Sequence, residues 1–167
     1  MAQTMYTNDG YELELELEEL ERQELERQAI EVVTAISTNA NIVVKFLDDY
    51  GVKTPCLTGS AAVFLRVFEY GGASAAAKYL EEVGRPDDLD FVSPSTTQQV
   101  SIRQPQERVS KHELNGIRFD LSLQMPSSKQ FIVIGDVNIR IQSVSDLFQV
   151  YEENTGTYDD DAKNNVN

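Results

Sequence analysis

Two aspartates near the middle of the chain are spaced so that their carboxylates could act together. Asp88 and Asp90 stand two residues apart within the segment 86–91. Residues two apart on a β-strand point to the same face, so both carboxylates would lie on one side, with Leu89 and Phe91 on the other. Like charges this close repel, and a fold keeps them where solvent reaches both or where a cation lies between them. The spacing therefore predicts a site for a hard cation such as Mg²⁺.

A small-residue turn upstream could hold phosphate. Gly59-Ser60 follows the apolar segment 55–58 and precedes an apolar helical pattern, which marks a strand-to-helix turn. Backbone N–H groups and the helix dipole attract anions at such a turn, the Ser60 hydroxyl adds a donor, and glycine permits close approach. Arg85 is a further candidate ligand for phosphate. A surface ion pair with Asp87 or Glu81 is the open alternative for that arginine.

A third carboxylate, Asp120, lies on a later strand pattern. Apolar residues alternate with polar ones over 117–123 and occupy the face opposite Asp120. Beside Asp88 and Asp90, it could complete a metal site and take the proton from an attacking hydroxyl. An Asp-Leu-Asp triplet also suits an ordinary capped turn, so the functional interpretation depends on all three pieces meeting in one place.

Helices and strands must position these residues. Apolar spacing and glycine stops predict, after a mobile start over residues 1–10, helices over residues 16–37, 40–50, 61–70, 73–83, 95–103 and from Ser143 or Ser145 to about Glu153. Short apolar or alternating runs predict strands over residues 55–58, 89–93, 108–114, 117–124, 131–134 and 137–142. Asn115-Gly116 supplies the positive φ angles of a tight hairpin turn. The order of elements predicts an α+β fold, a mixed sheet with flanking helices.

Composition argues against several classes of protein. The 167 residues carry a formal net charge of −14, so strong DNA binding through a broad basic surface is not expected. The single cysteine, Cys56, cannot form an internal disulfide, lies in an apolar setting and fits a reducing compartment. There is no basic-then-apolar leader and no apolar run near the ~20 residues of a membrane span. We therefore expect a cytoplasmic protein with no membrane partner.

The negative charge is concentrated at the two ends of the chain. Residues 1–28 carry a net charge of −7 and residues 152–167 a net charge of −4, which leaves −3 for the rest. We therefore divide the chain into an acidic N-terminal helical arm (1–28), a central domain (29–153) and a polar C-terminal tail (154–167). The Glu-Leu alternation of the arm suits a solvated helix face or a disordered lead-in. The alternative is an address that binds a protein partner.

Together these motifs resemble the nucleotidyltransferase superfamily of the DNA polymerase beta type. Gly-Ser after an apolar strand, a helix and Asp-apolar-Asp match over residues 57–91, and the likeness extends to about residue 152. The chain is similar to the small bacterial nucleotidyltransferases, which include toxins of type IV toxin–antitoxin systems. The resemblance implies that Gly59 and Ser60 hold triphosphate and that Asp88, Asp90 and Asp120 bind Mg²⁺. The implied enzyme transfers a nucleoside monophosphate from an NTP to a hydroxyl acceptor on a protein, an RNA or a small molecule.

Two other interpretations stay open. The chain could keep this fold without catalysis and act as an interaction protein whose acidic arm binds a partner. The arm is also similar in composition to acidic-apolar leaders on some proteins associated with bacterial contractile injection systems. It would then be the loading signal of a packaged effector.

Overall fold

A computed structural model describes residues 2–94, 109–123 and 129–148 of the chain. The helix predicted over 95–103, the end of the last predicted helix and the tail 154–167 lie outside the described residues. Six strands and two long helices are defined within them, and a helical segment over 144–148 follows the last strand. The fold is α+β, as the sequence predicts.

The first helix, α1 (Ala2–Asp49), is continuous, so the prediction of two separate helices, the first beginning near residue 16, is wrong. The expected break fell in the segment 37–41, whose Ser, Thr and Asn residues have low helix propensity. Ile36, Ala40 and Val43 are nevertheless buried at helical spacing across this segment. Burial of that stripe stabilises the helix where propensity alone would end it.

The part of α1 from Gly10 to Asp49 is long and apolar enough, by length and composition, to cross a membrane. The same part supplies buried side chains to the core, among them Val33, Val43 and Leu47. Packing against the rest of the fold therefore accounts for the apolar character of its C-terminal half.

The segment that carries the turn and the first two aspartates follows the prediction closely. Strand β1 (Cys56–Thr58) runs into helix α2 (Gly59–Glu82), and strand β2 (Leu89–Ser93) comes next. Helix α2 is kinked at Gly72, which has φ +71° and ψ −164°. L-residues with a side chain rarely adopt that conformation, so the two helices predicted over 61–70 and 73–83 are the two arms of one kinked helix.

The main sheet has four strands. Strands β3 (Val109–Leu114) and β4 (Ile117–Leu123) form the predicted hairpin, with positive φ at both Asn115 and Gly116. The strand order is β1-β2-β4-β3, in which β2 and β4 are parallel and the other two pairs are antiparallel. Strand β2 is therefore central and receives β1 on one side and β4 on the other.

A second, two-stranded ribbon is formed by β5 (Phe131–Ile134) and β6 (Val137–Arg140). Just beyond β6, Ile141 forms a parallel bridge with Leu57 and so attaches the ribbon to the edge of the main sheet. Arg66 fixes the same junction, because it donates hydrogen bonds to the Gln142 carbonyl at 3.0 and 3.2 Å and to Gln130 Oε1 at 2.6 Å. From its place on the helix after Gly59-Ser60, the sequence predicts that Arg66 faces solvent. That prediction is wrong, since Arg66 is 6% exposed.

The hydrophobic core lies between the two helices and the strands. Helix α1 packs against α2 and β6, and α2 packs against β1 and β2. The largest fully buried side chains include Phe64 of α2, Phe91 of β2 and Phe119 of β4, and the last two rings meet edge to face at 6.4 Å. Because Phe91 and Phe119 point into the core, their strand neighbours point to the opposite face of the sheet.

Candidate functional site

The register of two parallel strands brings a pair of carboxylates together. Asp90 of β2 and Asp120 of β4 are directly paired, as are Leu89 with Phe119 and Phe91 with Leu121 on either side. The apolar members of these pairs are buried, whereas both aspartates are half-buried on the other face. The alternation predicted for β2 and β4 is therefore confirmed, and it places Asp90 and Asp120 side by side.

The phosphate turn predicted at Gly59 lies against the same carboxylate. Thr58, at the end of β1, pairs with Asp90, so the next residue begins α2 beside that side chain. Gly59 has φ +72°, and a Cβ atom built on it would stand 2.2 Å from Asp90 Oδ2. A side chain at position 59 would therefore collide with the Asp90 carboxylate. Glycine is required both by the backbone angle and by this close approach.

A surface cavity of about 400 Å³ lies over these residues. It is lined mainly by polar groups from the start of α2, the end of α2, the loop that follows it and the two central strands: Ser60, Tyr79, Val83, Gly84, Arg85, Pro86, Asp87, Asp88, Asp90 and Asp120. All the predicted site residues except Gly59 line it directly, and Gly59 contacts Asp90 beneath it. The volume falls in the range of small-molecule sites.

The pKa of Asp90 is raised from 3.8 to about 6. Burial of the carboxyl group is the largest cause, followed by the negative charges of Asp120 and Asp88 and a hydrogen bond with Asp120, and the positive charge of Lys111 opposes the shift. A hydrogen bond between two carboxyl groups requires a proton on one of them. Asp90 therefore keeps its proton to a higher pH than an isolated aspartate does, and a bound cation would replace that proton.

Asp88 lies at the rim of the cavity, just before β2. Its Oδ1 atom is buried, accepts no hydrogen bond from the described residues, and is 3.4 Å from Arg118 Nε. A buried carboxylate oxygen without a hydrogen bond costs stability unless something else binds it. Asp88 is thus brought to the same cavity as Asp90 and Asp120 but interacts with Arg118.

The three carboxylates supply the oxygen donors that Mg²⁺ prefers, and relief of the repulsion between Asp90 and Asp120 would favour a cation there. Within residues 2–94, 109–123 and 129–148, however, no three or more His, Cys, Asp and Glu side chains are grouped as ligands of one metal ion. The donor chemistry fits a divalent cation, and Asp88 Oδ1 could serve as a ligand because it is held only by its ion pair with Arg118 and accepts no hydrogen bond from the described residues. The arrangement is that of a carboxylate pair with a third carboxylate nearby.

The start of α2 offers backbone donors at the edge of the cavity. Thr58 occupies the N-cap position in an extended conformation, and its side chain makes no capping hydrogen bond. The first N–H groups of a helix have no partners within the helix, so an uncapped start attracts anions. Ser60 is exposed at this start, and Arg85 is exposed on the loop beyond α2. Both predicted phosphate ligands therefore face the same cavity from opposite ends of α2.

Two residues of the site were not singled out as functional by the motifs. Lys111 pairs with Asp120 across the β3–β4 hairpin, and Arg118 contacts Asp88. Tyr79 lines the cavity, and its ring packs against Phe64 at 5.5 Å. The hairpin signal could have identified Lys111, since a two-residue turn at 115–116 sets residues 111 and 120 opposite each other.

Cys56 is the first residue of β1 and is fully buried. Burial raises the pKa of its thiol to about 11. A thiol of that pKa stays protonated at neutral pH and is a poor nucleophile. The apolar neighbours of Cys56 in the sequence predict a buried side chain, and this prediction is confirmed.

No protein-family model matches the chain, and no curated protein or solved structure is significantly similar to it.

Proposed function

We propose that the chain is a Mg²⁺-dependent nucleotidyltransferase with the fold of the DNA polymerase beta superfamily, acting on an NTP and a hydroxyl acceptor. The observation that carries the proposal is the pairing of Asp90 with Asp120 on adjacent parallel strands, directly against Gly59 and the uncapped start of α2. A carboxylate pair beside a phosphate-binding turn is what nucleotidyl transfer needs. The sequence motifs and the geometry support the same residues.

In this proposal the triphosphate lies along the start of α2. The backbone N–H groups after Gly59 and the Ser60 hydroxyl donate to phosphate oxygens, and the helix dipole favours their negative charge. Arg85 reaches the same cavity from the other end of α2 and would pair with a phosphate. Tyr79 forms an aromatic wall of the cavity, next to the space left for the nucleoside.

Asp90 and Asp120 would hold Mg²⁺, and Asp88 would supply a third carboxylate after giving up its contact with Arg118. The ion, when bound, neutralises charge on the phosphate oxygens and orients them for attack. The protein's own part is to fix the carboxylates in place: β2 and β4 hold them in register, and the absence of a side chain at Gly59 leaves room for Asp90.

Asp120 is the group that would take the proton. As the acceptor hydroxyl oxygen forms its bond to the α-phosphorus, the bond from that phosphorus to the oxygen of the departing pyrophosphate breaks. The hydroxyl proton passes to the Asp120 carboxylate. Lys111, which pairs with Asp120 across the hairpin, keeps positive charge close to this centre. A cytoplasmic location would supply both NTP and Mg²⁺.

The rival proposal is an interaction protein that keeps the fold without catalysis. It is favoured by the arrangement of Asp88, whose carboxylate contacts Arg118 rather than completing a three-ligand group within the described residues. In that case the pair of Asp90 and Asp120 would have no catalytic role. The two proposals differ in whether the carboxylates are needed for transfer of label from an NTP.

The test is incubation of the purified chain with each of four α-³²P-labelled NTPs, Mg²⁺ and a bacterial lysate as a source of acceptors. Wild type is compared with Asp90→Asn, Asp120→Asn and the matched control Asp136→Asn, an exposed aspartate in the β5–β6 turn. We expect labelled acceptor with wild type and the control, and a loss of roughly 10²-fold or more with either site variant. Equal labelling by all four proteins would exclude the mechanism.

A further inference from the structure

The N-terminal half of α1 exposes an apolar surface that lies outside the carboxylate pocket, the cavity lined by Asp88, Asp90 and Asp120. Between residues 10 and 28 no side chain is buried, and from residue 10 onward Ala29 is the first buried side chain of α1. Leu13, Leu17 and Leu20 are 58%, 54% and 60% exposed. Leucines exposed to this degree on successive turns of one helix mark an interaction surface.

These three leucines form one line, which we call the leucine stripe. Their spacing of four and three residues places them on one side of the helix over two turns. At 3.6 residues per turn, the stripe lies about 150° around the helix from the row of Ala29, Val33 and later buried residues. The stripe therefore faces away from the core side of α1, and the folded domain does not cover it.

Acidic side chains border the leucine stripe on both sides. In a heptad frame with Leu13, Leu17 and Leu20 at positions d, a and d, Glu14 and Glu21 occupy e and Glu16 occupies g. All three carboxylates are exposed. The only basic residues of the first 28, Arg22 and Arg27, form ion pairs within the helix to Glu19, Glu24 and Glu31. The border of the stripe thus presents uncompensated negative charge.

This border determines which occupant fits. In a parallel pair of two identical helices, Glu16 would face Glu21 of the second copy twice, and in an antiparallel pair Glu14 would face Glu21. Like charges at these positions oppose self-association. A helix with an apolar a/d stripe and Lys or Arg at e and g would instead meet the leucines with apolar side chains and the glutamates with opposite charge.

We propose that the leucine stripe is a docking surface for a basic amphipathic helix of another protein. The stripe buries its leucines against the apolar face of that helix, and Glu14, Glu16 and Glu21 pair with its basic border. A surface two turns long gives weak binding by itself. The charge border contributes chiefly selectivity and association rate, so binding weakens as salt rises.

The experiment titrates the full-length protein against a fluorescent three-heptad peptide with Leu at a and d and Lys at e and g, and follows anisotropy. A second peptide carries Glu at e and g. The variants are the triple leucine variant (Leu13→Gln, Leu17→Gln, Leu20→Gln), the triple glutamate variant (Glu14→Gln, Glu16→Gln, Glu21→Gln) and the control Ile30→Gln. Ile30 is 47% exposed on α1 and lies off the stripe. Circular dichroism checks that each variant stays helical.

We expect the Lys peptide to bind wild type and Ile30→Gln alike, and each triple variant at least about tenfold more weakly. The Glu peptide is expected not to bind. Three outcomes overturn the proposal: no binding of the Lys peptide to wild type, equal binding to wild type and the triple leucine variant, or self-association of wild type in sedimentation equilibrium that the leucine variant abolishes. The second of these would show adsorption by charge alone, and the third would show that a second copy covers the stripe.

Discussion

The acidic arm and the carboxylate pocket are both rich in acidic residues, yet the two regions shift carboxyl pKa values in opposite directions. On the arm, hydrogen bonds from Arg27 and then Gln28 lower the pKa of Glu24 to about 2. In the pocket, burial and the neighbouring aspartates raise the pKa of Asp90 to about 6. On the arm, the carboxylates are exposed to solvent or paired with arginine. In the pocket, the register of β2 and β4 places Asp90 beside Asp120.

The difference shows how to separate acids that keep a helix soluble from acids that do chemistry. Exposed glutamates paired along a helix contribute little to the free energy of unfolding in either direction. A half-buried pair of like charges opposes folding, and such groups cluster where binding or catalysis needs them. The pocket is therefore the region whose substitution should change stability and ligand response most.

The largest effect is expected from Gly59→Ala. The new methyl group would enter the space of Asp90 Oδ2 at a backbone angle that favours glycine, so we expect a loss of about 2–4 kcal/mol in the free energy of unfolding. Gly116→Ala is the matched control: it also has positive φ, but nothing lies within 4 Å of its Cβ position. There we expect a loss of about 1 kcal/mol. Urea unfolding measures both, and equal losses would show that Asp90 does not pack against Gly59.

Asp90→Asn should stabilise the protein at high pH. The folded-state pKa of about 6 lies above the ordinary 3.8, so ionisation of Asp90 destabilises the fold as pH rises through 6 and has no effect below about 3.8. Asparagine removes this penalty. We expect a gain of roughly 1–3 kcal/mol at pH 8 that disappears towards pH 4, with solvent exposure of the site keeping it below the full shift.

The pH profile of that variant is measured by urea unfolding at several pH values. A gain that is constant across pH would mean that packing, rather than charge, distinguishes Asn from Asp at position 90. A loss of stability at pH 8 would mean that the ionised Asp90 is stabilised by its surroundings, against the account of the pocket given above.

The smallest effect is expected on the arm, from Glu24→Gln. With a pKa of about 2, Glu24 stays charged throughout the neutral range, and its partner Arg27 is also exposed. We expect the melting temperature to be unchanged at every pH from about 5 to 8. A pH-dependent shift of the size predicted for Asp90→Asn would remove the distinction between the two regions.

Local patterns in the sequence predicted most of the pocket. Glycine turns, the Asn115-Gly116 hairpin and the alternation in β2 and β4 fixed the bounds of the strands within a residue or two. That alternation also placed Asp90 and Asp120 on the polar face of their strands. What it could not supply was the parallel pairing of β2 with β4, because the two strands are separated by a long segment and their register depends on tertiary packing.

The two wrong predictions, for helix α1 and for Arg66, also depend on tertiary packing. Helix α1 continues through a segment of low propensity because Ala40 and its neighbours are buried, and burial is a property of the folded chain. Arg66 lies in an apolar helix pattern that gives no sign of the carbonyl of Gln142, 76 residues away in sequence, to which it donates. Contacts between residues distant in sequence decided both cases.

The most direct test of the pocket's role is a thermal shift with Mg²⁺ and ATP, read on wild type, Asp90→Asn and the triple glutamate variant of the arm. A divalent cation could also adsorb to the acidic arm, and the two variants separate the two sites. If the pocket binds the ion and nucleotide, the melting temperature of wild type and of the arm variant will rise on adding both ligands, while that of Asp90→Asn will not. A rise that persists in Asp90→Asn and is lost in the arm variant would contradict the account.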